Sequence, residues 1–500
     1  MAKRSDDTAF ARTMRIQTIM KLRPHHSSFV INLNRHESSS PKLATANQPT
    51  RKSYIANRKS KASPNCNVQN GHPCFNLVSS KMQLSYQKTK WQSWKRLGWS
   101  QVIISLLASA LSIHAGNQVV AWGAGTNTDM LGNNYGQSVI PATLTNAVMV
   151  GAGRWHSVAL TAKGTLTGWG SNAYNEISFP AGSNYMSFAC GWWHSLALRT
   201  NGTVTAIGDD TYGQIDAPTN LSGVVAVACG WYHCLALKSD GTVVSWGTDT
   251  NPADFGKDNV SYGQSLVPAG LSNVVAIAGG GWHSLALKSD GTVVAWGAGK
   301  TFVPSDGVDD GQSIIPNGLS NVVAIAAGAA DSLALESNGR LIAWGDNTYG
   351  QTNVPTSLTN GVIAIAAGGW HNLALRTNGI VVAWGAGTGT DPYVDFHQNI
   401  VPTGLTNVIQ IAAGIYNSLA LVGSGPPRLE APLTISNLGT NGFAIYCPTR
   451  NGRVYRLDYS NALTNQVWTA GPLQGGLGGT NQFDDPVRSA DSRFYRVSQW

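Results

Sequence analysis

One phrase recurs along this chain, and its recurrence restricts the fold more than any other feature. The stretch "GGWHSLALKSDGTVVAWG" at 280–297 has near-copies from residue 118 onward. The "HSLAL" element begins at seven positions, which are His156, His194, His233, His283, Asp331, His371 and Asn417. Repetition at this spacing is typical of folds in which each unit buries its core against the next unit.

Each copy is patterned as β-strands. In "VVAIAGGGWHSLAL", Val275 and Ile277 alternate with alanines, and Leu285 and Leu287 alternate with small residues. Alternation of this kind suits sheets that stack face to face in a ring. Five copies connect two strands through pairs suited to two-residue hairpin turns, namely Asn201-Gly202, Asp240-Gly241, Asp290-Gly291, Asn338-Gly339 and Asn378-Gly379. A four-stranded blade repeated seven times predicts an all-β, seven-bladed β-propeller.

The two ends of the repeat region complement each other. The first copy begins directly with "QVVAWG", and the last copy ends with "NSLALVG" at 417–423. Each end therefore lacks the strand that the other end supplies. Pairing the two ends would close the ring and remove two exposed sheet edges.

The repeat resembles that of the regulator of chromosome condensation, a seven-bladed propeller family. Copy six, "LIAWGDNTYGQTNVPTSLTNGVIAIAAGGWHNLALRTNG", carries most of the pattern, and the resemblance covers about residues 118–423. Short-armed bacterial forms, including the secreted beta-lactamase inhibitor protein II, are the nearer match. In the inhibitor, the resemblance implies that loop aromatics on one face hold the target enzyme.

Two repeated positions are predicted to be structural. The replacement of histidine by Asp331 and Asn417 keeps only hydrogen-bonding capacity, which favours a link between strands over a catalytic base or a metal ring. The histidines concerned are His156, His194, His233, His283 and His371. The "AWG" tryptophans lie mid-strand at a fixed phase and are predicted core anchors between blades; they are Trp122, Trp169, Trp246, Trp296, Trp344 and Trp384.

The position before the histidine is the candidate binding site. It is aromatic in six of seven copies and falls at a glycine-rich turn, which places it at one end of the propeller. A partner surface uses rigid, amphipathic rings in this way, although packing within the turn is the alternative. The candidates, with two neighbouring tryptophans, are Trp155, Trp192, Trp193, Trp231, Tyr232, Trp282, Trp370 and Tyr416.

Unequal loops provide a second candidate surface. Copies one, four, five and seven carry longer arms than copies two, three and six. Extra loop length often marks function. Asp306, Asp309 and Asp310 could attract calcium, but their spacing is not that of an EF-hand, and a solvated acidic loop is the preferred interpretation.

Charge and hydropathy divide the chain before the repeats. Residues 1–100 contain 18 Lys+Arg and 3 Asp+Glu, so the remaining 16 and 23 leave residues 101–500 acidic, which argues against nucleic-acid binding. Residues 1–81 are predicted to be a basic, disordered prefix, with translation beginning at Met82 as an alternative. The basic segment, the apolar run "VIISLLASALSI" and the small residues after it predict a signal peptide over 82–115 and hence export; a signal anchor is the other possibility.

The tail and the cysteines complete the expectations. The propeller is assigned to 116–423, a Gly/Pro linker to 424–432, and an immunoglobulin- or fibronectin-like β module to 433–500. None of the six cysteines forms a CxxC pair, and no His–Cys spacing is typical of a zinc site, so no metal is expected. Cys190 and Cys229 are interpreted as small buried residues, with a disulfide between blades left open.

These patterns predict an exported protein that binds a protein or glycan through aromatic side chains. No isolated Ser-His-Asp set, carboxylate pair or phosphate loop is present, so neither catalysis nor a cofactor is expected. The alternatives are an enzyme inhibitor of the beta-lactamase-inhibitor type and, less favoured, a regulator resembling a guanine-nucleotide exchange factor.

Overall fold

The computed structural model describes residues 16–19, 30–34, 117–126, 134–248, 261–300, 302–303, 308–388, 391, 393–423, 434–437, 443–448, 454–460, 469–476, 480–485 and 492–499. These residues form an all-β protein without helices. No described helix could therefore cross a membrane. The chain divides into two units, of which Glu37–Ile113 lies outside the described residues and the other comprises Met1–His36 and His114–Trp500.

The strands, in chain order, are β1 (Ile16–Ile19), β2 (Val30–Asn34), β3 (Gln118–Gly123), β4 (Ala147–Ala152), β5 (His156–Thr161), β6 (Leu166–Gly170), β7 (Tyr185–Cys190), β8 (His194–Arg199), β9 (Val204–Gly208), β10 (Val224–Cys229), β11 (His233–Lys238), β12 (Val243–Gly247), β13 (Val274–Gly279), β14 (His283–Lys288), β15 (Val293–Gly297), β16 (Phe302–Val303), β17 (Asp309–Asp310), β18 (Val322–Ala327), β19 (Asp331–Glu336), β20 (Leu341–Gly345), β21 (Val362–Ala367), β22 (His371–Arg376), β23 (Val381–Gly385), β24 (Val408–Ala413), β25 (Asn417–Val422), β26 (Thr434–Asn437), β27 (Phe443–Pro448), β28 (Val454–Ser460), β29 (Thr469–Gly475), β30 (Thr480–Asp485) and β31 (Ser492–Gln499).

Seven three-stranded antiparallel sheets form the blades of a propeller. Blades one to six are β4–β6, β7–β9, β10–β12, β13–β15, β18–β20 and β21–β23, and blade seven is β24, β25 and β3. The predicted fourth strand is absent from the described part of each blade. In its place a turn forms around a proline, as where Leu271 N donates to Pro268 O, because proline has no N–H for a sheet ladder.

The ring closes by pairing the two ends of the repeat region, as predicted. Strand β3 runs antiparallel to β25, with Trp122 opposite Ser418 and Val119 opposite Leu421. Main-chain hydrogen bonds therefore join the first and last copies, and the edge of β25 that faces β3 is paired.

The core lies between neighbouring blades. Leu196 and Leu198 of blade two pack with Ala236 and Trp246 of blade three, and all four side chains are buried. The middle strand of each blade is covered on both faces, so even its small residues are buried, as Ala286 is. Each blade thus depends on both neighbours for its hydrophobic stabilisation.

The hairpins differ in one detail from the prediction. The N–H of Lys238 bonds to the carbonyl of Thr242, so three residues rather than two connect β11 and β12. Gly241 takes a φ of 78°, and Asp240 Oδ1 accepts from the N–H and hydroxyl of Thr242. Glycine in the left-handed region at the end of a three-residue hairpin loop is a common solution.

The C-terminal residues form two further sheets. One has the order β1-β2-β31-β28-β29, and the other has the order β26-β27-β30. The N–H of Leu473 on β29 donates to the carbonyl of Ser289, in the turn between β14 and β15. We call the propeller end formed by these second-to-third-strand turns the turn face. The C-terminal sheets therefore contact this face.

The N-terminal region only partly enters the described structure. Strands β1 and β2 fall within 1–81, where the sequence predicts a disordered prefix, and β2 pairs with β31 through Ile31 opposite Tyr495. Strand addition to the open edge of β31 satisfies main-chain groups without any special side-chain pattern, which explains why composition gives no sign of it. The rest of the prefix, the predicted signal peptide and the linker at 424–432 lie outside the described residues.

Candidate functional site

The candidate site lies at the end of the propeller opposite the turn face. There, short connections join the first strand of each blade to the second, and we call this end the mouth face. Each connection begins with a glycine that lines the central cavity; they are Gly153, Gly191, Gly230, Gly280, Gly328, Gly368 and Gly414. A Cβ on Gly280 would lie 2.3 Å from His283 Cε1 and 2.7 Å from the Gly328 carbonyl oxygen. Only glycine fits between the histidine ring and the neighbouring blade.

The repeated histidine position links every blade to the next. The seven contacts are His156 Nε2 to Ser195 Oγ (3.0 Å), His194 Nε2 to Cys234 Sγ (3.2 Å), His233 Nε2 to Ser284 Oγ (2.8 Å), His283 Nε2 to Ser332 Oγ (2.9 Å), Asn372 Nδ2 to Asp331 Oδ2 (2.8 Å), His371 Nε2 to Ser418 Oγ (2.8 Å) and Asn417 Nδ2 to Ser157 Oγ (3.2 Å). These bonds form a closed ring through the core, and all of these histidines are buried.

The protonation state of these histidines follows from their partners. Ser332 Oγ donates to the carbonyl of Gln312, so it accepts from His283, whose Nε2 carries the hydrogen. His283 Nδ1 has no hydrogen-bond partner among the described residues. Burial lowers the pKa of His283 to about 3, because a charged ring would lie in a site without a compensating group. The same cause lowers the pKa of His156, His233 and His371 to about 3.

Blade five lacks the repeated histidine, but a substitution in blade six preserves the hydrogen bond between the two blades. Asp331 replaces the histidine, and its partner is Asn372, where most blades have serine. The amide donates to the carboxyl group, so the link between blades is kept. Burial raises the pKa of Asp331 to about 7.

The tryptophans of the third strands also act between blades. The indole N–H of each donates to the main-chain carbonyl of a glutamine that precedes its blade, at 2.7–2.9 Å, as Trp296 does to Gln264. The six are Trp122, Trp169, Trp246, Trp296, Trp344 and Trp384, and all are buried. This position therefore lies in the core and away from the mouth face.

The structure brings the predicted aromatic residues into one cluster on the mouth face. The side chains before the histidines form a ring in which Trp155, Trp193, Tyr232, Trp282 and Trp370 are partly buried and Tyr416 is buried. Trp155 and Trp193 have ring centroids 5.7 Å apart, and Trp370 and Tyr416 are 5.5 Å apart. The half-buried members can contribute surface to a partner.

Trp192 and Trp231 lie nearer the axis than this ring. Their centroids are 3.9 Å apart, and Trp231 lines the central cavity. They are only 9% and 7% exposed, respectively, so they support the neighbouring rings more than they present surface. Packing among the turns therefore describes Trp192 and Trp231, whereas partner binding remains open to the half-buried rings around them.

Arg154, at the same repeat position in blade one as Trp192 and Trp231, was missed by sequence reasoning. Its guanidinium carbon lies 3.8 Å from the ring centroid of Trp155 and 4.1 Å from that of Trp192. Burial lowers the pKa of Arg154, and the nearby Tyr416 of blade seven, across the ring closure, partly offsets this effect. The signal in the sequence was available, because "GRWH" replaces the "GWWH" and "GWYH" of the next copies.

An outer set of aromatic residues was also missed. It comes from the "YGQ" element and its variants "YNE" and "FHQ". These rings pack in tilted or edge-on contacts against the aromatic residues that precede the histidines, with centroid distances of 4.9 Å for Tyr135 and Trp155, 5.4 Å for Tyr174 and Trp193, 5.2 Å for Tyr212 and Tyr232, and 5.2 Å for Phe396 and Tyr416. Tyr174 is 44% exposed. The element recurs as regularly as the histidine phrase, and only the fold shows that the two meet.

Several donors in the cluster lack partners within the described structure. They are the indole N–H groups of Trp192, Trp193 and Trp282 and the Nε of Arg154. Buried donors without acceptors are uncommon in proteins. The cluster therefore combines partly accessible aromatic rings with buried donors that have no acceptor among the described residues.

The second candidate surface is only partly described. Asp306 lies outside the described residues, whereas Asp309 and Asp310 form β17 and pair with β16. The Gly299 N–H donates to Asp309 Oδ1, so this carboxylate is engaged within its own loop. In the arm that follows blade six, Tyr393 is 78% exposed.

Six stretches of the chain match the regulator of chromosome condensation (RCC1) repeat, at 149–176, 187–214, 224–251, 274–300, 322–351 and 362–388. The chain carries six RCC1 repeats. The matches fall on blades one to six, each running from the first strand into the segment after the third.

The chain is also similar to solved structures. The chain is similar to Prp20p from Saccharomyces cerevisiae, a protein studied for its binding to Gsp1p and histones, with 20% identity and a TM-score of 0.48 over 62% of this chain and 92% of that one. Human WBSCR16 is 19% identical, with a TM-score of 0.46 over 61% of this chain and 99% of that one. Yeast RCC1 (Prp20) bound to Kap60 is 21% identical, with a TM-score of 0.46 over 70% of this chain and 97% of that one. Comparison with curated proteins finds no match.

Proposed function

We propose that this protein is an exported, non-catalytic binding protein that holds a protein partner on the mouth face of its propeller. The observation that carries the proposal is the concentration of aromatic side chains there, from the repeat positions of six blades and from the outer "YGQ" positions. RCC1-repeat propellers include binding and regulatory proteins, which agrees with such a role.

The composition of the cluster supports binding through a hot spot. Tryptophan, tyrosine and arginine are the residues most often responsible for binding energy at interfaces. Here the buried inner members hold the half-buried rings in place, so little conformational entropy is lost when a partner packs on them.

The arrangement of the two ends also supports this choice. The C-terminal sheets contact the turn face through Leu473 and Ser289, so among the described residues they leave the mouth face uncovered. The predicted signal peptide supports export, and the resemblance to a secreted inhibitor makes an enzyme one possible class of partner. An exchange-factor role would instead require a cytoplasmic GTPase as the partner.

Affinity capture with matched variants tests the proposal. One bait is the protein from residue 116, and a second carries Trp193→Ala, Trp282→Ala and Trp370→Ala; blade five already has Ala330 at this position, so the fold has a precedent for the change. A control bait carries Tyr393→Ala on the long arm. Near-UV circular dichroism establishes that all baits are folded.

We expect one protein to be retained by the parent and the control and lost by the triple variant. Equal retention by all three baits would refute the aromatic face as the binding site. Retention lost only with Tyr393→Ala would move the site to the arms, and retention of a polysaccharide instead of a protein would overturn the partner class.

A further inference from the structure

One junction between blades differs chemically from the other six. Between blades two and three, the residue after the histidine position is Cys234, whereas the corresponding residue elsewhere is serine or, in blade six, asparagine. A second cysteine, Cys229, faces Cys234 directly across the ladder of β10 and β11. Two thiols therefore lie side by side at this junction, and Cys234 occupies a position where the other blades have a hydroxyl or an amide.

The histidine of the neighbouring blade completes a group of three possible metal ligands. His194 Nε2 lies 3.2 Å from Cys234 Sγ. The ligand atoms of His194, Cys229 and Cys234 all lie within 4.8 Å of one another. In a tetrahedral zinc site, bond lengths of about 2.3 Å to sulfur and about 2.0 Å to nitrogen separate the ligand atoms by roughly 3.5–3.8 Å. Side-chain shifts of about 1 Å or less would thus close the three atoms around an ion.

We propose that His194, Cys229 and Cys234 form a Zn²⁺ site at the junction of blades two and three. Two thiolates and a neutral imidazole balance the charge of Zn²⁺, which suits a site where His194 and Cys234 are fully buried. A monovalent soft ion would leave an uncompensated negative charge on the same ligands. The ion would replace one hydrogen bond between the blades by a metal bridge. His194 would bind it from blade two, and Cys229 and Cys234 would bind it from blade three.

The site has a route to solvent. Cys229 is half-buried and lines the central cavity at the mouth face, together with Cys190 of the neighbouring blade. This cavity can supply a water molecule as the fourth zinc ligand. Without metal, Cys234 Sγ donates to the Gln214 carbonyl at 3.4 Å, so the junction also has a metal-free hydrogen-bonding arrangement.

Sequence spacing reveals only part of this site. Cys229 and Cys234 are separated by four residues, which is within the spacing of a zinc ligand pair. His194 lies almost one repeat earlier, and the ligands come from three strands in two blades, so only the fold brings the histidine to the two cysteines.

The repeat itself supplies well-matched variants. Cys234→Ser restores the serine of five other blades, and Cys229→Ala restores the alanine of four others, so both proteins should fold. Cys447→Ser, in the C-terminal sheets, is the control. All are made in the full chain with Cys66→Ser and Cys74→Ser, so that these two residues cannot bind the probe.

Co²⁺ serves as a spectroscopic probe, followed by displacement with Zn²⁺. We expect one Co²⁺ per parent chain, with thiolate-to-cobalt charge-transfer and tetrahedral d–d absorption that Zn²⁺ removes. Cys234→Ser and Cys229→Ala should weaken binding by more than about 100-fold, because even outer-shell partners of a ligand affect metal affinity by about 10- to 100-fold. Cys447→Ser should match the parent.

Three results would overturn the proposal. They are the absence of charge-transfer absorption in the folded parent, its persistence in both ligand variants, and binding of Cu⁺ under conditions where Zn²⁺ does not bind. Circular dichroism of the metal-free variants separates loss of the site from loss of the fold.

Discussion

The ring of buried histidines makes the stability of the propeller depend on pH, and two members allow a clean test. We consider His283→Asn and His371→Asn, combined in one protein. Asn417 occupies the same position in blade seven and donates to Ser157 Oγ at 3.2 Å, so asparagine can keep the link between blades. The substitution removes the titrating group and retains the donor.

The sign of the effect follows from the pKa values. Burial lowers the pKa of His283 and His371 to about 3, below the unfolded value of about 6.5. The unfolded chain therefore binds more protons between these two values. The stability that depends on neutral histidine is complete above about pH 6.5 and is lost as the pH falls toward 3.

The magnitude follows from the same shift. When the pH falls from about 7 to about 5, each such histidine lowers the free energy of unfolding by about 2 kcal/mol. The free energy of unfolding of the double variant should therefore fall by about 4 kcal/mol less than that of the parent over this interval. Its absolute stability near neutral pH can be lower, because asparagine fills less of the site, and the test is independent of that difference.

Urea unfolding followed by tryptophan fluorescence, at both pH values, measures the change. His397→Asn is the control, because His397 is exposed and has a φ of 63° that asparagine tolerates well. The control should follow the parent at both pH values. Parallel loss of stability in the parent and in the double variant would refute the assignment of these histidines as buried and neutral.

Three further predictions use the same unfolding assay. Burial raises the pKa of Asp331 to about 7, so this residue lowers the free energy of unfolding as the pH rises from about 4 to 7. Between about pH 4 and pH 8, the free energy of unfolding of Asp331→Asn should therefore rise by about 4 kcal/mol relative to that of the parent. An equal pH dependence of the two proteins would contradict the raised pKa. Gly280→Ala places a Cβ 2.3 Å from His283 Cε1 and should cost about 3 kcal/mol, while Gly182→Ala, with no neighbour nearer than 3.4 Å, should be nearly neutral. Arg154→Leu should cost about 1–2 kcal/mol and change tryptophan emission, because it removes a cation held over two indole rings; unchanged emission would argue against that contact.

Much of the frame could be predicted from the sequence because each repeat encodes it separately. The alternation around Leu285 and Leu287 indicates strands, and the complementary ends indicate closure, which the pairing of β3 with β25 confirms. The prediction of four strands per blade was wrong for the part of each blade that the structure describes, since the period alone does not say whether the proline-containing outer segment joins the ladder.

The candidate site was only partly predictable. The residue before each histidine was identified from its recurrence, but its neighbours in space come from other parts of the sequence. Arg154 contacts Tyr416 only because the ring closes, and Tyr174 meets Trp193 only because the "YGQ" element folds back over the mouth face. Burial then divides the candidates, leaving Trp193 partly accessible and Trp231 enclosed.

The sequence by itself determined the repeating unit, the number of copies and the positions that every copy keeps, because strand alternation and turn residues act over a few neighbouring positions. The tertiary structure alone decided which partner each copy of one position meets. His283 faces a hydroxyl and His194 faces a thiol, although both belong to the same repeated phrase. The physical reason is that each such side chain meets its partner on the next blade, and that contact exists only once neighbouring blades have packed together.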